Sequence, residues 1–79
     1  MNAVPPVPVV VAVDPQRFAE VVQALRQAGM EVEAEHSAIG SVTGRVPEHR
    51  LPALQAVDGV VAVERERGYR IPPPESPIQ

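Results

Sequence analysis

The sequence predicts an α+β fold in which two helices cover one face of a four-stranded antiparallel sheet. Valine occurs fifteen times among 79 residues, and its branched side chain favours strands. Four short segments have the length and composition of strands. Two further segments carry apolar residues at helical spacing. Their order along the chain is strand, helix, strand, strand, helix, strand.

The first strand and the first helix have clear boundaries. Residues 7–13 form a short, almost continuous apolar run, which favours a central strand. Asp14 and Pro15 follow, and they provide a capping side chain and a proline that suits the first turn of a helix. The apolar spacing that follows predicts a helix closed by Gly29, because glycine tolerates the left-handed conformation at this position.

The two middle strands differ in their patterns. Residues 30–36 alternate strictly and place Glu31, Glu33 and Glu35 on one side, as in a half-buried strand at a sheet edge. Residues 39–46 predict the third strand. Gly40 and Gly44 within it indicate a bulge or the close approach of another backbone.

The second helix begins at Pro47 and is closed by Asp58 and Gly59. Pro52 removes one helical hydrogen bond, so we expect a short helix with an irregular or 3₁₀-like first turn. Residues 60–67 predict the last strand. With right-handed crossovers, this order gives the ferredoxin-like β-α-β-β-α-β sandwich, with strands one and three in the middle of the sheet.

We divide the chain into three segments. Residues 1–6 are expected to be a disordered N-terminal segment, and residues 7–71 a single ferredoxin-like domain. Four of the last eight residues are prolines, so residues 72–79 predict an extended, Pro-rich tail.

The composition excludes several classes of function. The chain has no cysteine and no lysine, which excludes disulfides, thiolate metal sites and Schiff-base catalysis. Its net charge of −3 offers no basic field for nucleic acid or anionic lipid. His36 and His49 stand in no catalytic or metal-ligand spacing. We therefore predict a non-enzyme without cofactor or metal, and no nucleic-acid or membrane partner.

The location is predicted from the first thirteen residues. They carry no basic residue ahead of their apolar stretch, and three prolines interrupt them. This pattern differs from a secretory signal peptide, so we expect a cytoplasmic protein.

The predicted architecture leaves one face of the sheet without helices. If the odd-numbered valines of the first strand meet the helices, then Val10 and Ala12 point to the open face, and Val60 and Ala62 join them from the last strand. An apolar centre on an open sheet face favours a protein partner or self-association. Single exposed aliphatic residues are also common on ordinary surfaces, so the pattern alone leaves both interpretations open.

The second half of the chain resembles a known family. The residues that carry the likeness are 39–46 (IGSVTGRV), Leu51, Leu54 and 58–66 (DGVVAVERE), which are similar to the subtilisin-propeptide-like inhibitor domain. The resemblance implies a stand-alone inhibitor or folding assistant whose partner is a subtilisin-like serine protease. It further implies that Glu64 and Glu66 cap helices of that protease.

The resemblance also assigns a role to the segment after the last strand. It implies that residues 67–71 lie extended in the substrate cleft of the protease, with Arg67, Tyr69, Arg70 and Ile71 as contacts. Pro72 follows at once, and a bond before proline is poorly cleaved by most proteases. In the alternative interpretation, Tyr69 and Ile71 pack on the chain's own sheet.

Two other functions stay open at this point. Small domains of the same topology sense ligands or assemble with themselves, which would make the chain a regulatory domain and a possible homodimer. Residues 28–30, 39–40, 43–44 and the tail 66–79 are also similar to small bacterial proteins labelled ketohydroxyglutarate aldolase. We judge that label mistaken for this chain, because such a lyase needs a lysine and a barrel of about 250 residues.

Overall fold

The computed structural model describes residues 5–66, which contain four strands, two α-helices and three 3₁₀ turns. The α-helices are α1 (Phe18–Gln27) and α2 (Leu51–Gln55). The 3₁₀ turns are Pro15–Arg17, Ser37–Ile39 and Glu48–Arg50. The strands are β1 (Val7–Val13), β2 (Glu31–His36), β3 (Ser41–Val46) and β4 (Val60–Arg65). Residues 67–79 lie outside the described part, so the predicted boundaries of the domain and its tail stay predictions.

The four strands form one antiparallel sheet in the order β2-β3-β1-β4. The predicted α+β class is therefore confirmed, and so is the expected position of β1 and β3 between the two edge strands. β1 is apolar on both faces: Val9, Val11 and Val13 are buried in the core, and Val10 and Ala12 are half-buried on the other side.

The core lies between the sheet and the two helices. Alternate residues of β1 and β3 point into it, and one stripe of α1 packs against them. α2 contributes Leu54, which is fully buried. The buried residues are Val9, Val11, Val13, Val21, Val22, Leu25, Met30, Val42, Val46 and Leu54.

Proline stands near the start of both helices, and an acidic side chain caps the turn that leads into the first. The Asp14 side chain accepts a hydrogen bond from the backbone N–H of Gln16 at 3.0 Å, as predicted for a cap, and the turn Pro15–Arg17 leads into α1. The turn Glu48–Arg50 leads into α2, where Pro52 occupies the first helical turn. The expectation of a short second helix with a 3₁₀-like start is confirmed.

Arg17 connects the start of α1 to the turn before β4. Its guanidinium donates hydrogen bonds to Glu20 at 2.6 Å and to Asp58 at 3.0 Å. These two bonds raise the pKa of Arg17 above its ordinary value, with Glu20 the larger cause. The pairs are exposed, so they orient the turn and contribute little stability.

A bulge in β2 overturns the predicted strict alternation. The register shifts by one residue between Val32 and Ala34, which makes Glu33 an extra residue. Glu35 therefore lies on the side of the sheet that the helices cover, and its carboxylate accepts a hydrogen bond from Arg26 of α1 at 3.1 Å. The prediction that Glu35 points to the same side of the strand as Glu31 and Glu33 is wrong.

A second bulge, in β4, changes the position of Val60. Val60 is opposite Val13 and Ala62 is opposite Ala12, so Val61 is the extra residue. Val60 is half-buried and packs against the core. The prediction that Val60 points to the open face is wrong. The extra residue Val61 puts Val60 and Ala62 on opposite faces of the sheet, and Val60 is the one on the core side.

Candidate protein-binding surface

The face of the sheet opposite the helices is not covered by any element of residues 5–66. Its centre is defined by Val10 and Ala12, which alternate with the buried valines of β1 and are both half-buried. Because directly opposite residues of antiparallel strands share a face, the register gives the neighbours of these two residues on each side. We call this side the open face.

One row of the open face runs through Ala12. Ser41 of β3 and Ala62 of β4 are directly opposite Ala12, and His36 of β2 is opposite Ser41. Three of these four side chains are small. The row therefore forms a shallow surface on which another backbone or helix can approach closely.

The next row runs through Val10. Thr43 and Glu64 are opposite Val10, and Ala34 is opposite Thr43. The middle of this row is the valine Val10 beside the small hydroxyl side chain of Thr43, and the row ends with a carboxylate on β4. Glu64 is exposed.

The end of the open face beyond Val10 is charged. Arg45 is opposite Glu31 and Pro8, and its Nε lies 3.2 Å from the carboxylate of Glu33. Glu66 follows β4, is exposed, and its backbone N–H donates a hydrogen bond to the carbonyl of Pro8 at 2.9 Å. Among residues 5–66, the carboxylates of Glu31, Glu33 and Glu66 thus outnumber the guanidinium of Arg45 at this end of the open face, which favours a negative field there.

The structure brings together four of the residues that the sequence assigned to partner binding. Val10, Ala12, Ala62 and Glu64 occupy two adjacent rows, and Glu66 continues the strand beyond Glu64. Val60 is in the core layer instead. The remaining predicted contacts, Arg67, Tyr69, Arg70 and Ile71, lie outside the described residues.

Two exposed apolar residues were missed by sequence reasoning. Ile39 is 75% exposed and Val61 is 73% exposed. Ile39 was assigned to the start of the third strand, but it belongs to the turn Ser37–Ile39, and Val61 is the bulged residue of β4. Neither the turn nor the bulge has a distinctive sequence signal apart from Gly40, which closes that turn in the left-handed conformation.

Metal-ligand clusters and buried polar side chains are both absent from the described residues. Within residues 5–66, no three His, Cys, Asp or Glu side chains are close enough together to hold a metal ion. No polar or charged residue in this part of the chain is buried, and both histidines are exposed. An open groove of about 310 Å³ runs between Gln55 and Val60–Val63, and its lining carries no titratable side chain.

A comparison with protein families places these features in context. The sequence model of a family described as "Putative peptidase inhibitor domain" matches residues 2–66, which is more than four fifths of the chain. The chain belongs to this family. No curated protein and no solved structure matches it.

Membership in the peptidase inhibitor domain family fits the surface just described. A peptidase inhibitor domain acts by binding a peptidase, so the family match indicates a peptidase partner and a binding role. The matched residues include the whole sheet and both helices. Neither the family match nor the structure supports the aldolase label. The helices of residues 5–66 are too short and too polar to cross a membrane.

Proposed function

We propose that this peptidase inhibitor domain acts on a subtilisin-like serine peptidase, as a stand-alone inhibitor or as a folding assistant. The observation that carries the proposal is the open face, which combines two rows of small side chains with carboxylates at one end. The family match supports a peptidase partner in general. The likeness of residues 39–66 to subtilisin propeptides supports the narrower class.

The exposed carboxylates of the open face suit a partner that has helix N-termini at its surface. Free N–H groups and the helix dipole at an N-terminus attract a carboxylate. Glu64 and Glu66 are exposed, and neither has a salt-bridge partner among residues 5–66. In the proposed complex they cap two surface helices of the peptidase, while Val10, Ala12 and Ala62 pack against the helix sides.

The chain after Glu66 completes the proposed inhibitor. Residues 67–71 would enter the substrate cleft in extended form and pair with the peptidase as an added strand. Pro72 would then stand just after the scissile position, where it slows cleavage. In this role Arg67, Tyr69, Arg70 and Ile71 are substrate-like contacts.

The direct test is inhibition of purified subtilisins. The chain is titrated into several subtilisin-like peptidases while hydrolysis of a chromogenic peptide is followed, with a chymotrypsin-like serine peptidase as the control enzyme. We expect inhibition of at least one subtilisin at micromolar concentration or below, and none of the control enzyme. An absence of inhibition across the panel at micromolar concentration would contradict the proposal.

The carboxylates provide a sharper test of the docking mode. Replacing both residues, Glu64→Gln and Glu66→Gln, should raise the inhibition constant about tenfold, because each lost interaction with a helix N-terminus is worth about 0.3–1 kcal/mol. The effect should shrink at high salt, since salt screens exposed charges. The control pair, Glu20→Gln and Glu48→Gln, removes the same net charge from the other side of the domain. An equal effect from both pairs would indicate net charge alone.

A second copy of the chain is the other candidate partner for the open face. Self-association would hide Val10 and Ala12 in a homodimer, as in regulatory domains of this topology. Sedimentation of the free protein separates the two cases. A monomer of 8.5 kDa leaves the face available to a peptidase, whereas a stable dimer at the concentrations used for inhibition would favour a regulatory or self-assembling role.

A further inference from the structure

We infer that Pro8 and Pro6 end the hydrogen-bonded ladder between β1 and β4, and so leave residues 67–71 free to pair with the peptidase. The inference rests on the proposed function and adds two positioning residues to it. It starts from one backbone contact at the end of β4. There the N–H of Glu66 donates a hydrogen bond to the carbonyl of Pro8 at 2.9 Å.

Successive residues of β1 direct their backbone groups to opposite neighbours, as expected for the central strand of an antiparallel sheet. The N–H of Val13 donates to Gly40, directly before β3, at 2.8 Å. The N–H of Asp14 donates to Gly59, directly before β4, at 2.9 Å. Odd-numbered residues of β1 therefore bond to β3 and even-numbered residues to β4. The bond that Pro8 accepts from the end of β4 follows this rule.

Pro8 can make only half of the usual pair. Residues that face each other in this way normally exchange two hydrogen bonds, but Pro8 has no N–H to donate to the carbonyl of Glu66. The sheet tolerates this proline because the missing donor points away from β3, with which Val7 and Val9 pair. The ladder between β1 and β4 is thus incomplete at Glu66, one residue after β4 ends at Arg65.

Pro6 removes the next donor on the same side. It lies two residues before Pro8, so an extension of β1 would direct the backbone of Pro6 toward the chain that follows Glu66. The residue opposite would be Gly68, and its carbonyl would again receive no hydrogen bond. Two successive missing donors make continued pairing of the tail with β1 unfavourable.

The missing donors bear directly on inhibition. A peptide binds as an added strand through its own backbone N–H and C=O groups, which must be free for the substrate cleft. A tail hydrogen-bonded to β1 would have to break those bonds first, and the complex would be weaker by that cost. The two prolines therefore favour a tail in the cleft over the alternative in which Tyr69 and Ile71 pack on the chain's own sheet.

The first test is amide hydrogen exchange of the free, full-length chain, followed for single residues by NMR. After correction for intrinsic rates, we expect the amide of Gly68 to exchange at least tenfold faster than that of Glu66. The double variant Pro6→Val, Pro8→Val restores both donors, and it should slow exchange at Gly68 about tenfold or more. Similar protection of Glu66 and Gly68 in the wild-type chain would overturn the inference.

The second test compares inhibition constants against a subtilisin that the wild-type chain inhibits. The double variant should raise the constant about tenfold, because the tail must first give up its new hydrogen bonds to β1. Pro5→Val is the matched control, since residue 5 is odd-numbered and its restored donor would point to the side of β3. It should change the inhibition constant less than twofold and leave exchange at Gly68 unchanged.

The outcomes distinguish this inference from the function on which it rests. Slower exchange at Gly68 in the double variant, with a threefold or greater loss of inhibition and an unaffected control, supports the two prolines as positioning residues. Unchanged exchange, a smaller loss, or an equal effect of Pro5→Val overturns the inference and leaves the peptidase function intact. If the wild-type chain inhibits no subtilisin, the proposed function fails, and hydrogen exchange still decides whether the prolines end the ladder.

Discussion

At the scale of single residues, Gly44 shows how a strand position can demand glycine. A Cβ atom at Gly44 would overlap the carbonyl oxygen of Glu31 and crowd Val32, because the bulge in β2 brings that backbone across β3. The expectation from the sequence that this glycine marks a bulge or a close backbone approach is confirmed. Glycine is required at position 44 because there is no space for a Cβ atom, and not because of its φ angle, which lies outside the left-handed region.

We therefore predict that Gly44→Ala destabilises the domain by about 1–3 kcal/mol, as is typical of overpacking in a position that cannot relax. The obstacle is backbone, which moves less readily than the end of a side chain. Urea unfolding measures the change, and Thr43→Ala in the same strand is the control, since Thr43 is half-buried on the open face. Equal stability of Gly44→Ala and the wild-type chain would show that the two strands separate easily at this point.

Residue positions are also where sequence reasoning failed. Each edge strand has one extra residue, Glu33 or Val61, and each extra residue breaks the alternation between the side chains before it and those after it. Glu35 and Val60 were assigned to the wrong face for this reason. Gly44 indicated the bulge in β2, whereas nothing in the sequence around Val61 indicates the bulge in β4.

At the scale of elements, the order and type of every strand and helix were predictable. Valine content, the Asp14-Pro15 helix start and the proline within the second helix are local signals that agree with the final fold. The ends of elements were less certain. β3 begins at Ser41 and not at residue 39, because Gly40 adopts a left-handed conformation, with φ +65°, and keeps the preceding residues in a turn.

The shortest element, α2, depends on a single side chain. A five-residue helix with a proline in its first turn has almost no intrinsic stability. Leu54 is its one fully buried residue and joins it to the core. Tertiary packing, and not helix propensity, therefore maintains this element.

We predict that Leu54→Ala costs about 2–5 kcal/mol of folding stability, through lost apolar burial and the cavity left behind. For a domain of this size that loss approaches the whole free energy of unfolding, which is about 5 kcal/mol or less. Thermal unfolding followed by circular dichroism provides the measurement. Gln55→Ala, at an exposed position of the same helix, should leave the midpoint almost unchanged. A small loss for Leu54→Ala would mean that the site collapses to fill its cavity.

The two edge strands share a feature that bears on association. Both are bulged, and charged residues follow the bulge in each: Glu35 in β2, and Glu64 and Arg65 in β4. Bulges and charges on an edge discourage pairing with another chain. The open face is therefore a better binding surface than either edge strand. This agrees with a partner that lies across the sheet.

At the scale of the whole molecule, topology was enough to predict an open face but not its outline. Two helices cannot cover both sides of a four-stranded sheet, so the presence of a free side followed from the element order. The two strongly exposed apolar residues of the described part stand in a turn and a bulge, and these arise from the packing of neighbouring strands. Ile39 and Val61 consequently emerged only from the three-dimensional arrangement.

In the proposed inhibitor, the sheet binds the peptidase and the tail blocks its substrate cleft. Every buried residue of the described part lies between Val9 and Leu54, and the family match ends at residue 66. We therefore expect a chain ending at Glu66 to unfold at nearly the same urea concentration as the full chain. Its open face should still dock, but without residues 67–71 the substrate cleft of the peptidase would stay accessible. We expect the truncated chain to bind a subtilisin and to inhibit it much less.

Calorimetry for binding and peptide hydrolysis for inhibition separate these two properties. A full-length Pro72→Ala variant is the companion measurement, because it keeps the tail but removes the proline that should slow cleavage. Mass spectrometry should then detect a cut after Ile71, with inhibition fading over time. If the truncated chain inhibited as strongly as the full one, the open face alone would block the peptidase and the substrate-like role of Tyr69, Arg70 and Ile71 would be refuted.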